Sequence, residues 1–496
     1  MASETGEQPD AVKDGVEREE APSKAAPARV ARQAYVLVHG MGEQIPMDTV
    51  KGFAETVWSL DPDVQVPSMP HADQTWSRPD GRTGSLELRR ITTRKSRTTH
   101  SFPKGVRTDF YELYWADLTT GSTWEQFTSW VRYLLFRPWA KVPVDVRGAW
   151  LCLWAASILV VALGIISLIP RSIWGAWTPD WLSQGLVAAA AAALLAFIHR
   201  QASATFGRVV KYTRSRPDNI AARKAARERG LALLSALHAE EDPAKAYDRV
   251  VLVSHSLGTI LAHDLLAYFW ARQEGAQSFE PNTAKGTAVA ALETAAAALQ
   301  NVPSEATRAA FRAAQGQLGR LLREQSLSAK PEGRWLISDL VTIGSPLTHA
   351  EFLLADGPED LAKRCYGREL PICPPHREML DPQLVTAAAA AGLLPKNETR
   401  LISYRYAQNP DRWALHFAAP FAAVRWTNVY DPARFVAQGD MISGPLAENF
   451  GPGIADRDMS AGNERSRRFS HTLYWDAKQT PVRLKIIRDA VNLLDL

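Results

Sequence analysis

The sequence predicts an α/β protein: a mostly parallel sheet covered by helices on both faces, interrupted by an inserted hydrophobic helical hairpin and an Ala-rich helical excursion. Three observations predict it. Short, continuously apolar runs such as Ala34–Val38, Val250–Val253 and Leu336–Ile343 suit strands buried on both faces. Helical patterns alternate with these runs over most of the chain, which favours parallel strands with crossover helices. Ala149 to Ile169 adds 21 successive residues without a charge.

With 496 residues, 46% of them hydrophobic and 22% charged, the chain has material for a sizeable core. That composition excludes a wholly disordered chain, a collagen-like repeat and a small disulfide scaffold. Three cysteines, Cys152, Cys365 and Cys373, cannot make a disulfide framework and suit a reducing compartment, although Cys365 and Cys373 remain able to pair. A net charge of +4, from 57 bases and 53 acids, predicts no nucleic-acid partner.

Taken in order, the first 30 residues hold seven acids and four bases and almost no large apolar residue, which predicts a disordered tail and no secretory signal. The body is expected over 31–145 and 201–496, with the hydrophobic pair over 146–200 and a helical insertion over 280–330. Ala34–Val38 enters a glycine-marked loop, His39-Gly40-Met41-Gly42; a short helix follows near Thr49–Leu60, a weaker strand near Leu86–Thr92, and a second good strand at Asp109–Trp115.

The uncharged run from Ala149 would span about 31 Å as a helix, close to the hydrocarbon thickness of a bilayer. Leu182–Ile198, with six successive alanines, is shorter, about 25 Å. The short link between them, marked by Trp174, Trp177 and Trp181, predicts a membrane hairpin. Arg132, Arg137, Lys141 and Arg147 precede the pair and Arg200, Arg208 and Lys211 follow it, while Arg171 is the only base in the turn. That asymmetry puts both flanks, and the body with them, on the cytoplasmic side. A reentrant pair, buried helices or a lid over a site are the alternatives.

Further on, Ile220–Ala239 is helical, Tyr247–Val253 a central strand and Thr259–Arg272 the helix after it. Ala288–Ala298 and Ser304–Leu322 form the Ala-rich excursion, expected on the surface beside the sheet. Leu401–Tyr406 and Ala423–Tyr430 supply further strands, and Pro481–Leu493 a closing amphipathic helix.

The sharpest chemical signal is Val250-Val-Leu-Val-Ser-His-Ser-Leu-Gly-Thr259. A buried strand runs directly into a helix through a tight turn that would lift the Ser256 hydroxyl out of the sheet, with small residues two positions to either side. Gly258 meets one of those requirements; Ser254 stands where glycine is usual. The plainer alternative makes Ser256 a helix cap.

On these residues the chain resembles the α/β-hydrolase fold, nearest the bacterial lipase and esterase-like serine hydrolases. His39-Gly40-Met41-Gly42-Glu43-Gln44, Gly344-Ser345-Pro346-Leu347 and a downstream acid and histidine extend the resemblance, over about Ala34–Tyr114 and Lys245–Leu493. It implies a triad in the order Ser, acid, His. His471 is the favoured base, ahead of His416. Asp440, in Gly-Asp-Met-Ile-Ser-Gly-Pro-Leu, is the favoured acid, with Asp431 as the alternative and Asp339 read as structural. The amides of Leu257 and Met41 are the expected oxyanion donors, with Gly40 and Gly42 allowing close approach, and Pro346 and Leu347 the expected cleft lining. The implied activity is ester hydrolysis through an acyl-enzyme, on an apolar, lipid-like substrate at a membrane. No cofactor and no catalytic metal is expected; a catalytically silent membrane scaffold is the alternative, and oligomeric state stays open.

Overall fold

A computed structural model describes residues 29–40, 45–119, 136–139, 142, 147–174, 183–213, 217–326, 333–376, 390, 401–406, 409–433, 438–460, 466 and 468–496. Of the expected tail, 1–30, residues 1–28 lie outside them, as do Met41, Gly42, Trp177 and Trp181, while Arg29 is described and pairs with Asp248 at 2.6 Å.

Among the described residues the main sheet has eight strands: β1 (Ala31–Val38), β2 (Thr75–Pro79), β3 (Arg89–Lys95), β4 (Val106–Leu113), β5 (Arg249–His255), β7 (Ile337–Ile343), β10 (Arg425–Tyr430) and β11 (Ala455–Asp458). Their order is β11-β10-β7-β5-β1-β4-β3-β2. From β11 to β4 all neighbours are parallel; β3 and β2 extend the edge antiparallel. The architecture is therefore α/β on a mostly parallel sheet.

Alternation of side chains across a strand divides the core in two. Ala34, Val36 and Val38 of β1 join Val250 and Leu252 of β5 on one face, and Tyr35 and Leu37 join Val251 and Val253 on the other. The first face is covered by α4 (Pro217–His238), α5 (Gly258–Trp270), α6 (Ala284–Asn301) and α7 (Glu305–Ser326), the second by α1 (Asp48–Ala54) and α8 (Pro481–Val491). This two-sided burial is why the strands read as unbroken apolar runs.

Three expectations need correction. The Ala-rich pair is part of the sheet's covering layer: α6 and α7 bury Val289, Leu292, Leu299, Phe311 and Leu318 in the core, and the Gln315 amide donates to the carbonyls of Ala422 and Val424, both at 2.8 Å. The 401–406 segment does not join the main sheet. As β8 (Ser403–Tyr406) it pairs with β9 (Asn409–Leu415), which pairs with β6 (Ser278–Phe279), in a separate antiparallel sheet. Cys365 and Cys373 are both buried and free, so they do not pair.

The hydrophobic pair comprises α2 (Arg147–Leu168) and α3 (Gln184–Thr213), packed against each other. Trp150–Leu168 has a mean hydropathy of 2.5 and no buried residue, and is long and apolar enough to cross a membrane; Gln184–Ala196 is apolar but shorter. Ile158 and Val161 are each 60% exposed and Leu168 83%. At its start, Trp139, Trp150 and Trp154 lie in edge contact at 5.7 and 6.0 Å, with the Arg147 guanidinium 4.8 Å over Trp139.

The pair is inserted after β4, so it leaves the body at the carboxyl edge of the parallel strands. There Tyr212, near the end of α3, packs edge-on against Trp115 at 5.5 Å and donates its hydroxyl to Asp264 of α5 at 2.8 Å. Before α2, Arg137 donates to the carbonyls of Glu351 and Phe352, both at 3.1 Å.

Candidate active site

The turn after β5 sets the site. Ser256 has φ 53°, a left-handed backbone that costs a non-glycine residue roughly 1–3 kcal/mol and persists only where its surroundings fix it. Here its N–H donates to Ile343 O at 3.0 Å, and its carbonyl accepts from the Thr259 N–H at 3.0 Å and the Thr259 hydroxyl at 2.7 Å. The backbones around it are close enough to exclude side chains. A Cβ on Gly40 would lie 2.6 Å from Ser256 Cβ, and one on Gly258 would lie 2.4 Å from Val38 O. At 254 the serine is accommodated because its hydroxyl points across the sheet and donates to Val341 O at 3.0 Å.

Around that turn the structure brings together the three residues favoured from sequence. The Ser256 hydroxyl and His471 Nε2 are 2.8 Å apart, and His471 Nδ1 is 2.9 Å from Asp440 Oδ2. A carboxylate only accepts, so Nδ1 carries the ring proton and Nε2 is left to accept from the serine. Burial works to raise the Asp440 pKa, but hydrogen bonds from His471, the Tyr474 hydroxyl (2.7 Å) and the Ile442 amide (3.0 Å) outweigh it and hold the carboxyl below its ordinary value. Asp440 is fully buried, while Ser256 and His471 keep 8% exposure.

The loops bearing the acid and the histidine are zipped together. Gly439 forms a parallel bridge with Phe469, its N–H donating to Arg468 O at 3.2 Å and its carbonyl accepting from Ser470 N–H at 3.1 Å. Asp431, the alternative acid, serves this brace instead. It receives Arg483 of α8 at 2.7 Å and the Ser470 hydroxyl at 2.6 Å, which anchors the residue before His471.

The other candidates separate clearly. His416 is buried away from Ser256; its Nε2 faces Leu401 O at 2.8 Å and its Nδ1 accepts from Ala418 N–H at 3.1 Å. Asp339 lies at the opposite end of β7, bound to Arg249 and Arg425 at 2.6 and 2.8 Å, and is structural as expected. The Leu257 amide stands unbonded among the described residues at the start of α5, where a developing anion would meet it. Met41, the other expected donor, lies outside the described residues, but the loop's flanks are held: His39 Nε2 accepts from Trp115 N–H at 3.1 Å, and Glu112 accepts from Met47 N–H at 2.6 Å.

Pro346 and Leu347 are the expected cleft lining. Both are buried, Leu347 within the core, and their motif braces the turn: the Thr259 hydroxyl is committed to Ser256 O, so the Ser345 hydroxyl donates to Thr259 at 2.8 Å. Two contributors were not singled out from sequence for the site. His255 donates Nε2–H to His471 O at 2.7 Å, and Tyr474 holds Asp440. Their positions beside Ser256 and His471 were the available signal. Among the described residues no group of three or more His, Cys, Asp or Glu is arranged to hold a metal ion.

This geometry can move a proton from a hydroxyl to an imidazole held in one tautomer by a carboxylate. Comparisons with protein-family models, curated proteins and solved structures give no match for this chain.

Proposed function

We propose that the protein is a serine hydrolase of the α/β-hydrolase type that cleaves carboxylic esters with apolar, lipid-like acyl groups through an acyl-enzyme at the membrane. The observation that carries this reading is the unbroken relay from Ser256 through His471 to Asp440, anchored on a serine whose backbone is held at φ 53°. In the proposed cycle Ser256 Oγ attacks the ester carbonyl while its proton passes to His471 Nε2. The Leu257 amide, with Met41 as its expected partner, stabilises the oxyanion. His471 then protonates the leaving alcohol, and a water activated by the same imidazole releases the acid and restores the serine.

Three features support the membrane part. Trp150–Leu168 is apolar and exposed, aromatic side chains gather at its start, and the pair joins the body at the sheet edge that carries Ser256. In this reading α2 and α3 hold the catalytic edge at the cytoplasmic face, where an ester at headgroup depth reaches the serine.

A fluorophosphonate probe tests the chemistry: wild type should be labelled and Ser256→Ala should not. Esters of graded chain length should lose at least about a hundredfold in turnover with Ser256→Ala and His471→Ala. An accessible, folded wild type that takes no label and cleaves none of them refutes the enzyme and leaves the silent scaffold. Carbonate extraction tests the membrane part separately, since a soluble hydrolase with α2 and α3 as a lid would wash off.

A further inference from the structure

The opposite edge of the sheet carries a second concentration of charge that the proposed reaction does not use. At the amino ends of β5, β7 and β10, Arg249 and Arg425 share Asp339, Arg425 also pairs with Asp495, and Arg323 of α7 reaches Asp495 at 3.7 Å. These guanidiniums are shielded from solvent, Arg249 at 1% exposure and Arg323 at 14%. A cavity of about 990 Å³ opens beside them, walled by α7, α8 and the start of β10.

Its charges do not cancel. Arg425 is held by Asp339 at 2.8 Å, Lys485 by Asp489 at 2.8 Å and Arg488 lies 3.9 Å from Asp61. Among the described residues, that leaves the Arg97, Arg312 and Arg457 side chains facing the cavity with Asp63 as the remaining acidic side chain. Arg312 is the telling member. One of its terminal nitrogens donates to Trp426 O at 2.5 Å and reaches Thr427 Oγ1 at 3.5 Å; among the described residues its Nε is buried with no partner and no carboxylate lies within ion-pair distance. Burial is the main cause that pushes its pKa down to about 10; Cys373 and Asp339 work to raise it, and Arg425 and Arg457 to lower it. Leaving a shielded guanidinium without a paired carboxylate and with its Nε–H unmatched is costly. A planar donor fork with free N–H groups matches a tetrahedral oxyanion.

We propose that this cavity binds a small, soluble phosphate monoester, whose dianion sits between Arg312 and Arg457 and whose organic part fills the remaining volume. Two features favour a soluble ligand over a lipid headgroup. The cavity lies at the sheet edge opposite the one from which α2 and α3 depart, and its volume suits a small molecule rather than one anion. The site is independent of the ester chemistry proposed for Ser256.

The test uses the full chain in detergent micelles, titrated with inorganic phosphate and with glycerol phosphate against chloride at matched ionic strength, by calorimetry and by the shift in melting temperature. Saturable binding of both, tighter for glycerol phosphate, is expected, with affinity reduced at least tenfold in Arg312→Gln and in Arg457→Gln. Arg457 is exposed, so its variant reports even where Arg312→Gln does not fold. Absence of saturable binding, or equal affinity in wild type and Arg457→Gln, overturns the proposal. So does binding to vesicles containing phosphatidic acid without binding of either free phosphate.

Discussion

His255 donates its Nε2–H to the backbone carbonyl of His471 at 2.7 Å, and the two rings lie 5.0 Å apart. The residue before the serine thus holds the loop that brings the base to it, and this buried bond ties the turn to the histidine loop beside the Ser256–His471 contact itself. A carbonyl only accepts, so the His255 proton is fixed on Nε2. Burial, then the neighbouring His471, push the His255 pKa down to about 3, and the ring stays neutral at any working pH.

His255→Phe should therefore lower kcat on esters by about tenfold, the worth of roughly 1.4 kcal/mol, with KM little changed. His255→Gln, which keeps an amide donor, should recover part of the loss. A merely structural role for the ring would move stability and leave the ratio of kcat in the two variants near one, a result read from kcat, KM and melting temperature together.

Asp440 and Asp431 should separate by readout. Asp440→Asn leaves the carboxamide able to hold the wrong imidazole tautomer and should cut kcat by about 10³–10⁴ with the fold retained. Asp431→Asn breaks a buried pair with Arg483, whose side chain is 4% exposed, and should cost about 3–5 kcal/mol of stability. Urea denaturation beside ester turnover measures both, and equal kcat losses would argue against Asp440 as the orienting acid.

Tyr474 offers a pH test. Its hydroxyl proton is given to Asp440 and its oxygen accepts from Ser443 at 2.8 Å, so Tyr474→Phe withdraws one of the bonds that keep the carboxyl ionised. The Asp440 pKa should rise, and the acid limb of the kcat/KM profile should move to higher pH with a loss of about tenfold at its plateau. An unmoved acid limb would count against this bond.

Acid should unfold the protein from within. Burial is the main cause that pushes His39, His238 and His416 down to about 4 and His255 to about 3. Their folded pKa values lie below the unfolded value of about 6.5, so the unfolded chain binds more protons in between. Their contribution is complete above about pH 6.5 and falls with pH at about 1.4 kcal/mol per unit for each ring. Glu112 acts in the other sense: burial pushes it up to about 7, so its contribution is complete below its unfolded pKa and is lost as pH rises through 7. The urea midpoint should drop steeply from pH 6.5 to 5, while Glu112→Gln should gain up to about 3 kcal/mol on wild type at pH 8. A midpoint flat across that range would refute the buried neutral rings.

The amino-acid order alone determined the central strands and the turn, because a strand buried on both faces must be apolar throughout and a turn that lifts Ser256 demands small neighbours. It also ranked His471 and Asp440 through position and local pattern. The edge strands were not legible: Ala455–Asp458 is Ala-Asp-Arg-Asp, with no apolar face to betray it, and Thr75–Pro79 is mostly exposed. Tertiary structure decided what depends on closing long loops. It gave Asp431 to Arg483 and Asp440 to His471, turned Leu347 into the core, made the Ala-rich helices a wall of the sheet, and tied His255 to a carbonyl 216 positions away. Each of these pairings depends on which surfaces the packed sheet brings into contact, and separation along the chain carries no record of it.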